Sequence, residues 1–141
     1  MTAKARVLLL ITLSAAAVAS VFATSNQEYG PNEYAVIDGG LSPDRKHSIA
    51  AHGGGELGYG NFHIYLMNAV TGKKIGPLEE IKETLDTGAD AFYAKWSSDS
   101  KEVAIRYRID RHEALEVRYR IDKGRAYLIK GPSKSDGLRF E

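Results

Sequence analysis

Arg106, Arg108, Arg118 and Arg120 are the residues of this 141-residue chain best spaced to do chemistry. A guanidinium group carries a rigid fork of donors that matches carboxylate and phosphate oxygens, so a row of them on one face recognises anions. The apolar residues fix that row. Val103, Ile105, Tyr107 and Ile109 recur at every second position, and Leu115, Val117, Tyr119 and Ile121 do the same. Two strands joined through Asp110 to Ala114 would turn these side chains to one face and the arginines to the other. Glu102, Glu113 and Glu116 stand among the arginines. Cross-strand Arg–Glu pairs contribute about 0.2–1 kcal/mol on sheet surfaces. The pattern therefore describes a solvated, self-paired face or a site for an anionic partner, the first being the more ordinary.

Other reactive residue types form no comparable set. His52 and His63 flank a glycine-rich loop that contains Glu56, while His47 and His112 stand apart. A metal site needs about three or four convergent ligands, and no tight ligand spacing occurs, so neither a metal nor another cofactor is expected. Ser42, Ser97, Ser98 and Ser100 sit in turn sequences without the context of a nucleophile. Glu79 and Glu80 fall on the solvated side of an apolar periodicity. No catalytic residue is expected, and a hydrolase is the least favoured reading. Cysteine is absent, which excludes thiol nucleophiles, thiolate ligands and disulfides.

The segment Gly53 to Gly60 holds five glycines in eight residues. A phosphate-cradling loop would lead into a helix. Here Phe62-His63-Ile64-Tyr65-Leu66-Met67 follows with the alternation of a strand, so the segment reads as a long hairpin loop. Glu56, Tyr59 and Phe62 are its expected contact residues, because binding energy concentrates on exposed aromatic side chains.

The elements that hold these residues are mostly strands. Residues 1–23 have the form of a secretory signal peptide: Lys4 and Arg6, then an apolar stretch from Val7 to Val21, then Ala23 before a polar segment. The stretch is shorter than the ~20 residues a membrane-spanning helix needs, so no stable anchor is expected after cleavage. The remainder carries 17 basic and 18 acidic side chains, and the location implied is the periplasm or the exterior. Residues 24–94 have 5 basic and 10 acidic side chains, whereas residues 95–141 have 12 and 8. That near-neutral total gives no reason to expect nucleic-acid binding. Residues 24–33 read as a flexible polar segment, 34–130 as the β-domain and 131–141 as a loose tail. Within the domain, unit one spans 34–76 and unit two 89–130. Between them Pro77, Leu78, Ile81 and Leu85 predict a short helix at about 77–86, ended by Thr87-Gly88.

One phrase occurs twice. Leu41-Ser42-Pro43-Asp44-Arg45-Lys46 leads to Ile49-Ala50-Ala51, and Trp96-Ser97-Ser98-Asp99-Ser100-Lys101 leads to Val103-Ala104-Ile105, 55 residues later. The first copy, with Ile64 to Lys73 after it, resembles a blade of the β-propeller repeats of the Tol-system periplasmic propeller and of prolyl-oligopeptidase-like peptidases. The second copy has Ser98 where those repeats usually have Pro and Ser100 where they usually have Gly. The resemblance covers roughly residues 34–129 and implies two propeller-blade-like units, too few for a ring of about four to eight blades. Two antiparallel sheets packed as a compact sandwich-like domain are the expected fold; ring completion by several copies, or a repeat without propeller architecture, are the alternatives. The exported all-β class with a Gly/Tyr loop at Glu56 to Gly60 is also similar to periplasmic lysozyme inhibitors, although their Ser-Gly loop signature is missing. The expected function is a non-enzymatic binding or accessory module whose partner is another protein. Inhibition of a cell-wall hydrolase such as lysozyme is the alternative.

Overall fold

The computed structural model describes residues 25–53 and 62–141. The expected signal segment lies outside the described residues, as do Glu56 and Tyr59. Eight strands run in chain order: β1 (Ala35–Val36), β2 (His47–His52), β3 (His63–Asn68), β4 (Lys73–Pro77), β5 (Tyr93–Trp96), β6 (Glu102–Arg108), β7 (Ala114–Asp122) and β8 (Arg125–Lys134). They form two four-stranded antiparallel meanders, β1-β2-β3-β4 and β5-β6-β7-β8. The chain is thus mainly β, with two sheets, as the alternation predicts.

Period-two patterning decides which face of each sheet is covered. Ile49 pairs with Leu66 and Ala51 with Ile64 in the first sheet. In the second sheet Val103 pairs with Tyr119, Ile105 with Val117 and Tyr107 with Leu115. All of these belong to, or pack against, a single hydrophobic core that draws on both sheets. Burial alone pushes the Tyr107 hydroxyl pKa up to about 12. Phe92 and Phe62, with ring centroids 5.8 Å apart, carry the core between the sheets.

The sheets also touch through their backbones. Asp38 forms a parallel bridge with Tyr93. Its N–H donates to the Phe92 carbonyl at 3.3 Å, and its own carbonyl accepts from the Ala94 N–H at 2.7 Å. Gly39 makes this approach feasible: its φ is +73°, and a Cβ there would lie 2.2 Å from the Ala94 carbonyl oxygen. Trp96 completes the junction by donating its indole N–H to the Gly40 carbonyl at 2.9 Å.

The doubled phrase folds into the same turn twice. Ser42 Oγ donates to Asp44 Oδ1 at 2.6 Å and accepts from the His47 N–H at 3.1 Å. Ser97 Oγ likewise donates to Asp99 Oδ1 at 2.6 Å and accepts from the Glu102 N–H at 3.0 Å. Each aspartate also accepts an N–H two residues on, from Lys46 and Lys101, at 3.0 Å. Arg45 and Ser100 occupy the matching left-handed positions, with φ of 61° and 63°.

Three expectations are corrected. No helix forms at 77–86; the only helical element among the described residues is a 3₁₀ turn at Ala89–Ala91. The apolar spacing of Leu78 and Ile81 serves a buried loop instead, because the Leu78 N–H donates to the Ile64 carbonyl and the Leu85 N–H to the Arg108 carbonyl. Glu83, at φ 56°, breaks any helical run between them. The polar N-terminal segment is also tied down: the Ser25 carbonyl accepts from the N–H groups of Thr87 and Gly88, at 2.7 and 2.8 Å. Tyr29 is buried and donates its hydroxyl to the Thr87 carbonyl at 2.8 Å. Finally, residues 131–134, assigned to a loose tail, continue β8.

Candidate functional site

The four arginines share the outer face of the second sheet, opposite the core, but three of them are occupied. Arg106 donates through Nε to Glu116 at 2.8 Å and through Nη1 to the Arg139 carbonyl at 2.9 Å. Its guanidinium also lies over the Phe140 ring, 4.2 Å from the centroid. Arg118 donates to the other oxygen of Glu116 at 3.0 Å. Burial pushes the Glu116 carboxyl up, yet the two guanidinium groups overcome that and hold it below the ordinary glutamate value. Arg108 grips Asp86 with Nε and Nη2, at 3.1 and 3.0 Å. Asp86 is 1% exposed and also accepts the Ser25 N–H at 2.8 Å. Sequence reasoning missed Asp86, because its residue sits in the segment read as a helix.

Arg120 differs. The ion pairs among the described residues involve Arg106, Arg108 and Arg118 and leave Arg120 outside. It stands opposite Glu102 on β6 and Tyr127 on β8. The segment Asp136 to Glu141 crosses the same face and encloses, with Lys95, Trp96 and Arg106, a cleft of about 600 Å³.

β8 is the edge strand beside Arg120. Tyr127, Leu128 and Ile129 are 46%, 46% and 43% exposed, three large apolar side chains in succession. In the first sheet's two-sided strand β3, by contrast, Ile64 through Met67 are all buried. The turn Lys123-Gly124, with φ of 53° and 75°, joins β7 to β8 through two residues and makes Asp122–Arg125 a hydrogen-bonded pair. Antiparallel alternation then makes Arg120–Tyr127 the next such pair and turns the N–H and C=O of Ala126 and Leu128 away from β7. Neither residue has a backbone partner beyond its own sheet among the described residues.

Phe62, His52 and His63 do not join this face. Phe62, expected as an exposed contact, is 8% exposed and stacks on Tyr29 with centroids 6.4 Å apart, so it is a core residue. His52 and His63 stand opposite one another on the outer face of the first sheet, where the His52 ring stacks on Tyr34 with centroids 4.0 Å apart. His52 Nδ1 lies 2.6 Å from the Glu33 carbonyl oxygen. No group of three or more His, Asp or Glu residues placed to hold a metal occurs among the described residues. A second, apolar groove of about 490 Å³ runs over Ala50 and Met67 between Val36, Leu41 and Ala69. Comparison with protein-family models, curated proteins and solved structures finds no match to this chain.

Proposed function

We propose that this protein is an exported, non-enzymatic binding module that engages another protein through the outer face and free edge of its second sheet. The exposed run Tyr127-Leu128-Ile129 beside Arg120, which forms no ion pair among the described residues, carries the reading. Apolar side chains on an open edge, rimmed by charge, are the composition of a protein contact. The export half of the proposal rests on the pattern of residues 1–23 and points to the periplasm or the exterior. A non-catalytic role is supported by the turn hydroxyls, since Ser42 and Ser97 donate their protons to Asp44 and Asp99 rather than to a histidine base. The two-blade resemblance remains part of this reading as the origin of the doubled unit.

The test is capture from an envelope extract with the tagged protein and with a Tyr127→Lys, Leu128→Lys variant. Proteins retained by the wild type and lost by the variant are expected. The same set bound by both would overturn the reading.

A further inference from the structure

We infer that the β8 edge takes up an extended acidic segment of its partner as an additional antiparallel or parallel strand. The inference rests on the protein-binding reading above and names the kind of partner it requires. Three observations converge on the short window from Arg125 to Ile129.

The first is backbone. Ala126 and Leu128 present unspent donors and acceptors along the open side of a four-stranded sheet, the template that strand addition uses. The second is that the rest of the edge is guarded and this window is not. β8 continues as Lys130-Gly131-Pro132-Ser133-Lys134, where proline lacks a donor and lysines oppose pairing. The register shift between Glu116 and Arg118 adds irregularity there, and a second, between Arg118 and Tyr119, closes the window at Ile129. The first sheet shows the same protection: its edge strand β4 is Lys73-Lys74-Ile75-Gly76-Pro77. The window Arg125-Ala126-Tyr127-Leu128-Ile129 has none of these devices in its middle.

The third is charge. β8 carries Arg125, Lys130 and Lys134 and no acidic residue, and Arg120 flanks it from β7. None of these four takes part in an ion pair among the described residues. A second copy of β8 laid on this edge would bring like charges together, which costs stability. An incoming strand with carboxylates at alternate positions would meet Arg125 and Lys130 on the outer face, with Arg120 one strand further in, while its apolar side chains, on the other face, would cover Leu128. The partner is therefore a polypeptide segment alternating acidic and apolar residues, rather than another copy of this chain.

The experiment is selection of random eight-residue peptides displayed on phage against the full chain, followed by titration of the synthetic winners. Selected peptides are expected to be acidic with alternating apolar positions, and raised salt should weaken them. Leu128→Pro removes an outward N–H that the β7 ladder does not use, so it should abolish binding while Leu128→Ala retains it. If Leu128→Pro lowers the melting temperature, the Arg120→Glu, Arg125→Glu variant provides the second arm, with at least about a tenfold loss expected for a charge-assisted contact. Winners that bind both variants unchanged, or inorganic polyphosphate competing as well as the peptides do, would overturn the inference. A concentration-dependent dimer in light scattering that Leu128→Pro dissolves would overturn it in favour of self-pairing. Absence of any winner also overturns it, and in that case proteins captured by the wild type but not the lysine variant would leave the broader binding reading standing.

Discussion

The backbone N–H of Asp44 donates to the hydroxyl of Ser100 at 3.0 Å, so the two copies of the repeated turn meet at equivalent corners of the two sheets. Ser100 holds a left-handed φ of 63°, a conformation that glycine adopts without strain. The residue is 6% exposed, with its hydroxyl spent on this contact. Ser100→Ala keeps the strain and loses the hydrogen bond, so it should cost about 1 kcal/mol in denaturant unfolding. Ser100→Gly relieves the strain and should cost less. Equal losses would mean that the Asp44 contact contributes nothing.

The repeated turns also set a pH dependence. The serine hydroxyls first, and the backbone N–H groups of Lys46 and Lys101 next, hold the Asp44 and Asp99 carboxyls below their ordinary value of 3.8. A folded-state value below the unfolded one means that ionisation favours the folded state. The contribution is complete above pH 3.8 and disappears as pH falls through the lowered values. Melting temperature measured from pH 6 down to about pH 2 should therefore fall less steeply in an Asp44→Asn, Asp99→Asn variant than in the wild type. Glu116, also lowered, supplies a residual slope common to both. Identical slopes would contradict the assignment.

Gly39 and Gly72 share a positive φ, at +73° and +76°, but differ in surroundings. An added Cβ at Gly72 meets nothing within 4 Å, whereas at Gly39 it strikes the Ala94 carbonyl at the bridge between sheets. Gly72→Ala should cost about 1 kcal/mol, the backbone strain alone. Gly39→Ala adds the overlap and should cost about 2–5 kcal/mol. Urea unfolding of the two variants checks the ranking.

Arg108 and Arg120 look equivalent in the sequence and should separate by assay. Arg108→Ala leaves the Asp86 carboxylate, 1% exposed, without its cation and should destabilise by about 3 kcal/mol. Arg120→Ala should change stability by less than about 0.5 kcal/mol and instead weaken the partner interaction. The reverse assignment in thermal melts and binding titrations would contradict the division of the face into occupied and free arginines.

The legible parts of the fold were those with local causes. Alternation at Val103 to Ile109 and Leu115 to Ile121 identifies β6 and β7, and Ser-x-Asp at both turns places the corners, because each depends only on neighbouring residues. The illegible parts depend on distant ones. Leu78 and Ile81 have helical spacing, yet Ile64 and Arg108 capture the amides around them. Gly39 reads as an ordinary turn glycine, while its necessity comes from Ala94. Phe62 looks exposed beside a glycine run but is enclosed by Tyr29, from a segment expected to be loose. The arginine row was visible in full; which member is free was not, since Asp86 and the tail settle that from outside the hairpin. The β8 edge escaped notice because Gly131-Pro132 reads as the end of structure.

Amide hydrogen exchange at single-residue resolution tests the binding edge most directly. With a captured partner or selected peptide bound, the N–H groups of Ala126 and Leu128 should become protected, while Tyr127, already bonded to Arg120, should change little. Unchanged exchange at Ala126 and Leu128 in a saturated complex would contradict the assignment of β8 as the binding edge.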